Sequence, residues 1–230
     1  MSAGKRLRLA VLVSGTGRTL QTFLDLQRRG EPWEVVLVVA SRPGIVALER
    51  AVAADVPTTI LRRQDFDTTE SFGRAVFRAA EVVRADVVLL AGWLSLLWVP
   101  PGWMGRVLNI HPALLPAFGG KGMYGHRVHE AVLRRGCVVS GCTVHFVDND
   151  YDAGPIAGQA VCRVEETDTP ETLASRVFER ETVLYPAVVR AVAEGRLMLR
   201  DGRVCGRVCF LGDGVSQGDE GVAGRVPGGG

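Results

Sequence analysis

Four short apolar runs, residues 7–13, 35–40, 87–91 and 107–110, constrain this chain more than any other feature. A half-covered strand alternates apolar and polar residues, whereas a run with hardly a polar break suits a strand buried on both faces. That is the habit of a parallel sheet with helices on either side. Between the runs, apolar residues recur at helical spacing. Leu20, Phe23, Leu24 and Leu26 mark one helix ended by Gly30, residues 45–54 a second, and residues 72–83 a third. A weaker strand falls at residues 58–61. This order predicts a single α/β domain with a mostly parallel, twisted sheet and flanking helices.

Past Pro112 the rhythm changes. Residues 128–135 read as a short helix, and residues 138–147 and 156–164 as two strands joined by a turn, predicting antiparallel additions in the C-terminal half. Asp168-Thr169-Pro170-Glu171 reads as cap, proline and third-position acid of a helix reaching Ala193, with Gly195 as its stop. Residues 197–199 and 203–210, around Asp201-Gly202, predict a hairpin. From Gly212 onward the chain is Gly-rich and polar, so the domain is expected over residues 7–211 and a disordered tail over 212–230.

Composition excludes several function classes. A net charge of +2 with no basic run offers no footprint for nucleic acid. No segment has the uninterrupted apolar length of a membrane helix, and the basic N-terminus leads into a strand rather than a leader core. Five cysteines, none in a Cys-x-x-Cys pair, read as reduced thiols in the cytoplasm. His126 and His129 form the one close histidine pair, and two ligands three apart make no metal site, so no metal is expected.

The chemistry concentrates after the fourth run. Asn109 and His111 stand two apart in an extended segment, hence on one face, and Pro112 stops the strand there. An amide that can stabilise an oxyanion then sits beside a titratable ring at a strand's C-terminal end. Some 40 residues on, Tyr151-Asp152-Ala153-Gly154-Pro155 offers a carboxylate on a tight turn as a partner for the ring. Taken singly, a histidine is more often structural and an asparagine a local cap. The first run is followed by Ser14-Gly15-Thr16-Gly17-Arg18-Thr19 and a helix. Such a loop serves as a plain turn, as a cradle for a phosphate at a helix N-terminus, or as the opening of a dinucleotide site. Leu20 stands where the third dinucleotide glycine belongs, and no acid ends the second strand. Ser41-Arg42 sits there instead, a pair that suits the extra phosphate of NADP.

Asn109-Ile110-His111-Pro112, the following Leu114-Leu115-Pro116 and the later Asp152-Ala153-Gly154-Pro155 together resemble the signature of the formyltetrahydrofolate-dependent formyltransferases. The similarity spans residues 7–200. It includes Ser14-Gly15-x-Gly17 with Leu20-Gln21, Leu48-Glu49-Arg50-Ala51, the stretch from Asp86 to Trp93, Val144-His145-Phe146-Val147 and Tyr185-Pro186. It is nearest to the branch acting on phosphoribosylglycinamide, since the related tRNA-directed enzymes carry an extra C-terminal domain and the deformylases an extra N-terminal one. The resemblance implies a Rossmann-like formyltransferase fold and transfer of a formyl group from 10-formyltetrahydrofolate to the glycyl amine of the ribonucleotide, in purine synthesis. A formyltetrahydrofolate hydrolase and an NADP-binding module remain the alternatives. The implied partners are small molecules alone, and the implied state is a monomer or a weak homodimer.

It also implies roles. Asn109 would stabilise the oxyanion, His111 would supply a proton or a charge-assisted hydrogen bond, and Asp152 would hold the ring. The ribonucleotide would lie on Gly17, Arg18, Thr19, Pro112, Phe178, Glu179, Arg180 and Glu181, with Glu181 holding the glycinamide end. Folate would lie on Thr69, Leu94, Ser95, Leu96, Leu97, Asn109, Val147, Asp148, Asn149, Asp150, Tyr151 and Asp152. Without the resemblance, Glu181 reads as a solvated helix position. The chain departs from the family in Arg18-Thr19, where Ser-Asn is familiar, and in Ser95 and Thr69, which stand where relatives carry basic residues. Its Gly119–His126 segment is longer than in the shortest relatives and reads as a loop beside the site, a lid or a passive insertion.

Overall fold

A computed structural model describes residues 6–210. The expected tail, 212–230, lies outside them. Within them the chain forms one eight-stranded sheet and a small two-stranded one. The apolar runs become β1 (Leu7–Val13), β2 (Trp33–Ala40), β4 (Val87–Leu90) and β5 (Val107–His111), with the short β3 (Thr58–Ile60) at one edge. All five run parallel. Between them lie α1 (Arg18–Arg28), α2 (Val46–Ala53) and α3 (Thr69–Val82).

The sheet order, continued by α4 (His126–Arg134), β6 (Val139–Phe146), β7 (Ile156–Arg163) and α5 (Pro170–Ala193), runs β3-β2-β1-β4-β5-β6-β7 and then an outer strand. The first half is doubly wound, and the chain reverses between β1 and β4, the place where such sheets open a crevice at their strand C-termini. The antiparallel expectation holds, since β6 pairs antiparallel with both β5 and β7. Two apolar cores fill the two faces. One joins α1, α2 and α5 through Phe23, Trp33 and Tyr185, the other packs α3 through Phe72, Val76 and Phe77. The Tyr185 hydroxyl donates to the Leu108 carbonyl at 2.9 Å, so the long helix is bolted to the strand that carries the site.

Three local expectations need correction. Residues 203–210 do not form one hairpin arm. β8 (Met198–Arg200) and β9 (Arg203–Cys205) pair as a hairpin, but β10 (Val208–Phe210) leaves it and joins β7 in parallel at the edge of the main sheet. Three residues of strand are decided by the edge they meet, which no local pattern shows. The cap of α5 is Thr169, whose hydroxyl accepts from the Thr172 amide, so Glu171 sits one place earlier than a capping-box acid. Finally, α3 begins at Thr69 with a Thr68–Ser71 capping box, three residues before its first apolar position.

Candidate active site

β5 delivers Asn109 and His111 side by side at its C-terminal end, and Pro112 turns the chain away from the sheet. That turn is held by Thr143 of β6, which donates to the Ala113 carbonyl at 2.7 Å and accepts from the Leu115 amide at 3.0 Å. Opposite Asn109 in the antiparallel register stands His145. Asp152 reaches in from the loop after β6, on a backbone with φ of 54°, a left-handed turn uncommon for a side-chain-bearing residue.

These four side chains form one network. The Asn109 amide donates to His145 Nε2 at 3.0 Å and to Asp152 Oδ1 at 3.4 Å. The His145 nitrogen is therefore an acceptor, and its Nδ1 carries the proton that it gives to the Phe146 carbonyl at 3.0 Å. Asp152 Oδ2 accepts from the Gly120 amide at 2.9 Å and lies 3.4 Å from His111 Nδ1. His111 Nε2 lies 2.8 Å from the Phe118 carbonyl oxygen, which can only accept, so that nitrogen carries a proton. Both catalytic candidates are thus clasped by the start of the glycine-rich segment, through a carbonyl at 118 and an amide at 120.

Burial pulls the His111 pKa below the ordinary histidine value, against the opposing pull of Asp152 and the Phe118 carbonyl. For Asp152 burial works upward, but the contact with His145, the nearby His111 ring and the Gly120 amide outweigh it and hold the carboxyl below its usual range. An ionised acid therefore faces a buried ring at this strand end.

Asn109, His111, Pro112, Tyr151 and Asp152 line one side of a cavity of about 770 Å³ at the C-terminal ends of β1, β4 and β5. Its other sides are Arg18 and Thr19 of α1, Phe178 and Glu181 of α5, and the segment from Gly120 to His129. The loop before α4 is therefore a wall of the cavity. His126 ties its end to α5, with Nδ1 2.9 Å from Glu130 and Nε2 2.7 Å from Glu171. The Arg18 guanidinium lies 3.6 Å from the ring centre of Phe178. Glu181 is not a solvated position: burial raises its pKa to about 7, opposed by the charge of Arg18.

A second, smaller depression adjoins the first and shares Trp93, Asn109, Tyr151 and Asp152 with it. It is lined by Trp93, Ser95, Leu96, Leu97, Val147, Asp148 and Asp150, while Leu94 faces the larger cavity. Other expected contacts lie elsewhere. Gly17, Glu179 and Arg180 line neither space. Glu179 is exposed beside Arg176 on another part of α5, because residues two apart on a helix face different directions. Thr69 sits in the first turn of α3 beside Arg63, 3.4 Å away. Asn149 uses its side-chain oxygen to accept from the Val99 amide at 2.8 Å, and so staples the 94–99 loop.

The glycine loop is also partly committed. The Ser14 hydroxyl accepts from Ser41 at 2.9 Å and from the Leu94 amide at 3.2 Å. Gly17, with φ of 71°, lies so close to α2 that a Cβ would sit 2.7 Å from that of Ala47. What the sequence reading missed is His145, the Phe118 carbonyl and His129. His145 was visible only as part of a motif, and its role needs the β5–β6 register. His129 carried no signal beyond its spacing from His126.

The chain matches the formyl transferase family model over residues 7–189. It is 40% identical over 206 residues to the chloroplastic phosphoribosylglycinamide formyltransferase of Arabidopsis thaliana, covering 87% of this chain and 70% of the relative. It is 38% identical over 205 residues to the trifunctional purine biosynthetic protein adenosine-3 of Bos taurus, covering 87% of this chain but only 20% of that longer protein. The phosphoribosylglycinamide formyltransferase structure from Coxiella burnetii superposes with a TM-score of 0.82 at 32% identity, over 90% of this chain and 100% of that one. The network at the end of β5, the doubly wound sheet beneath it and these matches agree: the chain belongs to the formyl transferase family.

Proposed function

We propose that this chain transfers the formyl group of 10-formyltetrahydrofolate to the glycyl amine of phosphoribosylglycinamide, releasing tetrahydrofolate, as a step of purine synthesis. The observation that carries the reading is the convergence of Asn109, His111 and Asp152 where two differently built spaces meet. The larger one carries Arg18 and Thr19 at the N-terminus of a helix, suited to a phosphate, and Glu181, suited to an amine. The smaller, about 60 Å³, has apolar walls at Trp93, Leu96, Leu97 and Val147 and polar groups along the 148–152 loop, a lining whose chemistry suits the edge of a flat ring with hydrogen-bonding groups.

In this reading the neutral amine attacks the formyl carbon, a carbon–nitrogen bond forms, and the carbonyl electron pair moves to oxygen. Asn109 exchanges its long 3.4 Å bond to Asp152 for that oxyanion, a contact whose removal in other acyl transfers costs about 3 kcal/mol. His111 brings its Nε2 proton from the Phe118 carbonyl to the reacting centre. Collapse breaks the bond to the folate nitrogen; the His111 Nε2 proton passes to that nitrogen, the ring takes up the proton lost by the amine in its place, and Asp152 holds the ring throughout. No covalent enzyme intermediate enters.

The dinucleotide alternative fares worse, because Ser14 and Gly17 are already packed against Ser41 and Ala47. Five free cysteines suit the cytoplasmic setting proposed here. Among the described residues no helix is long and apolar enough to cross a membrane.

The deciding experiment follows tetrahydrofolate release by absorbance, with and without the ribonucleotide. Release that needs both substrates supports transfer. Release without the ribonucleotide identifies a hydrolase, and no release under either condition overturns both.

A further inference from the structure

The inward side of α4 is apolar at Val128, Ala131 and Val132, and among them stands one imidazole, His129, only 4% exposed. Its Nδ1 is buried and has no hydrogen-bond partner among the described residues, yet the residue lines the large cavity. An unmatched buried polar atom is destabilising, and a leucine at this position would avoid that cost. Burial, with the nearby His126 and His111, brings the pKa of the ring down to about 4, so it is neutral at physiological pH.

A neutral imidazole has one donor nitrogen and one acceptor nitrogen. That suits a group that is itself both donor and acceptor, and it does not suit a phosphate. The cavity's cations stand elsewhere, at Arg18, Lys121 and Arg127, and its acids are Asp152, Glu171 and the half-buried Glu181. With the phosphate and the amine matched to those charged groups, the sugar hydroxyls are the part of the ribonucleotide with the chemistry left over.

We infer that His129 hydrogen-bonds a ribose hydroxyl of the ribonucleotide and so helps the cavity select a ribose over a deoxyribose. The inference rests on the ribonucleotide reading above. His129 acts in binding, not in proton transfer to the reacting atoms.

The test uses the full chain and compares wild type with His129→Leu and His129→Gln, each assayed with the ribonucleotide and with its 2′-deoxy and 3′-deoxy analogues. The leucine variant fills the site without a polar atom, so its melting temperature is expected to match or exceed that of the wild type. Its KM for the ribonucleotide should rise about tenfold while kcat stays within twofold. Wild type should lose a similar factor with one of the two deoxy analogues, and the leucine variant should lose little more with that analogue. Glutamine, which keeps a donor and an acceptor, should recover part of the KM.

An unchanged KM in the leucine variant overturns the inference. So does a deoxy penalty equally large in wild type and variant, or a fall in kcat with KM intact. Wild-type protein that turns over formyl-folate without needing the ribonucleotide, or not at all, overturns the underlying reading instead, and that result is distinguishable from the others.

Discussion

The two long walls of the cavity are finished to different degrees. On the strand wall, Asn109, His111, His145 and Asp152 all have partners within the protein, in a chain of contacts that ends on the backbone of residues 118 and 120. On the helix wall, His129 keeps a buried nitrogen without a partner among the described residues, and the Glu181 carboxyl is pushed up to about 7 by burial. The difference separates two tasks. Groups that must meet a transition state are held in place beforehand, so that little reorganisation remains at the moment of reaction. Groups that recognise a ligand are left electrostatically incomplete, so that the ligand completes them.

The comparison breaks most visibly at the strand wall. Asp152→Asn keeps the shape but removes the charge that faces His111, and kcat should fall by roughly 10²–10⁴-fold, the usual range for a lost acid–base partner. Steady-state kinetics that show only a change in KM would place Asp152 in binding and erase the distinction.

Gly119→Ala probes the same wall without touching a catalytic side chain. The added Cβ would lie 2.5 Å from Leu115 Cδ2 and 3.3 Å from Asp152 Cβ, so the Leu115 side chain must move and Asp152 must give way slightly. Displacement of this kind is expected to lower kcat about 10²-fold. Turnover at the wild-type rate would show that the clasp is slack.

At the helix wall the signature is in stability. A carboxyl whose folded pKa is about 7 against an ordinary 4.5 holds its proton in the native state after the unfolded chain has lost it. Stability therefore declines as pH rises through that window and stays lower above it. Glu181→Gln removes the decline, and at pH 8 the variant should be more stable by ~2 kcal/mol, allowing for screening by solvent in the cavity. Denaturant melts at pH 5 and pH 8 measure it, and an unchanged slope would mean that the carboxyl is well solvated. The same substitution should raise KM for the ribonucleotide.

The smallest effect lies at the footing of that wall. Thr169→Ala removes the cap of α5 and should cost about 1 kcal/mol with kcat unaltered, read by thermal unfolding beside an activity assay. A large activity loss would tie the end of the helix to the chemistry.

The parallel half was legible because burial on both faces leaves a one-dimensional mark: the apolar run at 7–13 is β1 residue for residue. The pairing of Asn109 with His111 was legible for the same reason, since strand periodicity alone puts them together. What stayed hidden depends on contacts between distant segments. His145 meets Asn109 only through an antiparallel register. Glu181 has the sequence surroundings of a solvated residue, and only the way α5 lies across the cavity half-buries it. The short β10 follows the edge of β7 rather than its own hairpin.

The carbonyl on His111 belongs to the main chain, and that has a consequence for how this site can be altered. A ring held by a side chain is retuned by one substitution, whereas every residue at position 118 offers the same oxygen. What can vary is the course of the backbone through the glycines beyond it. Lengthening or shortening the stretch between Phe118 and His126 is therefore a route by which the acid strength of the ring can drift between relatives, with every side chain of the catalytic set left in place.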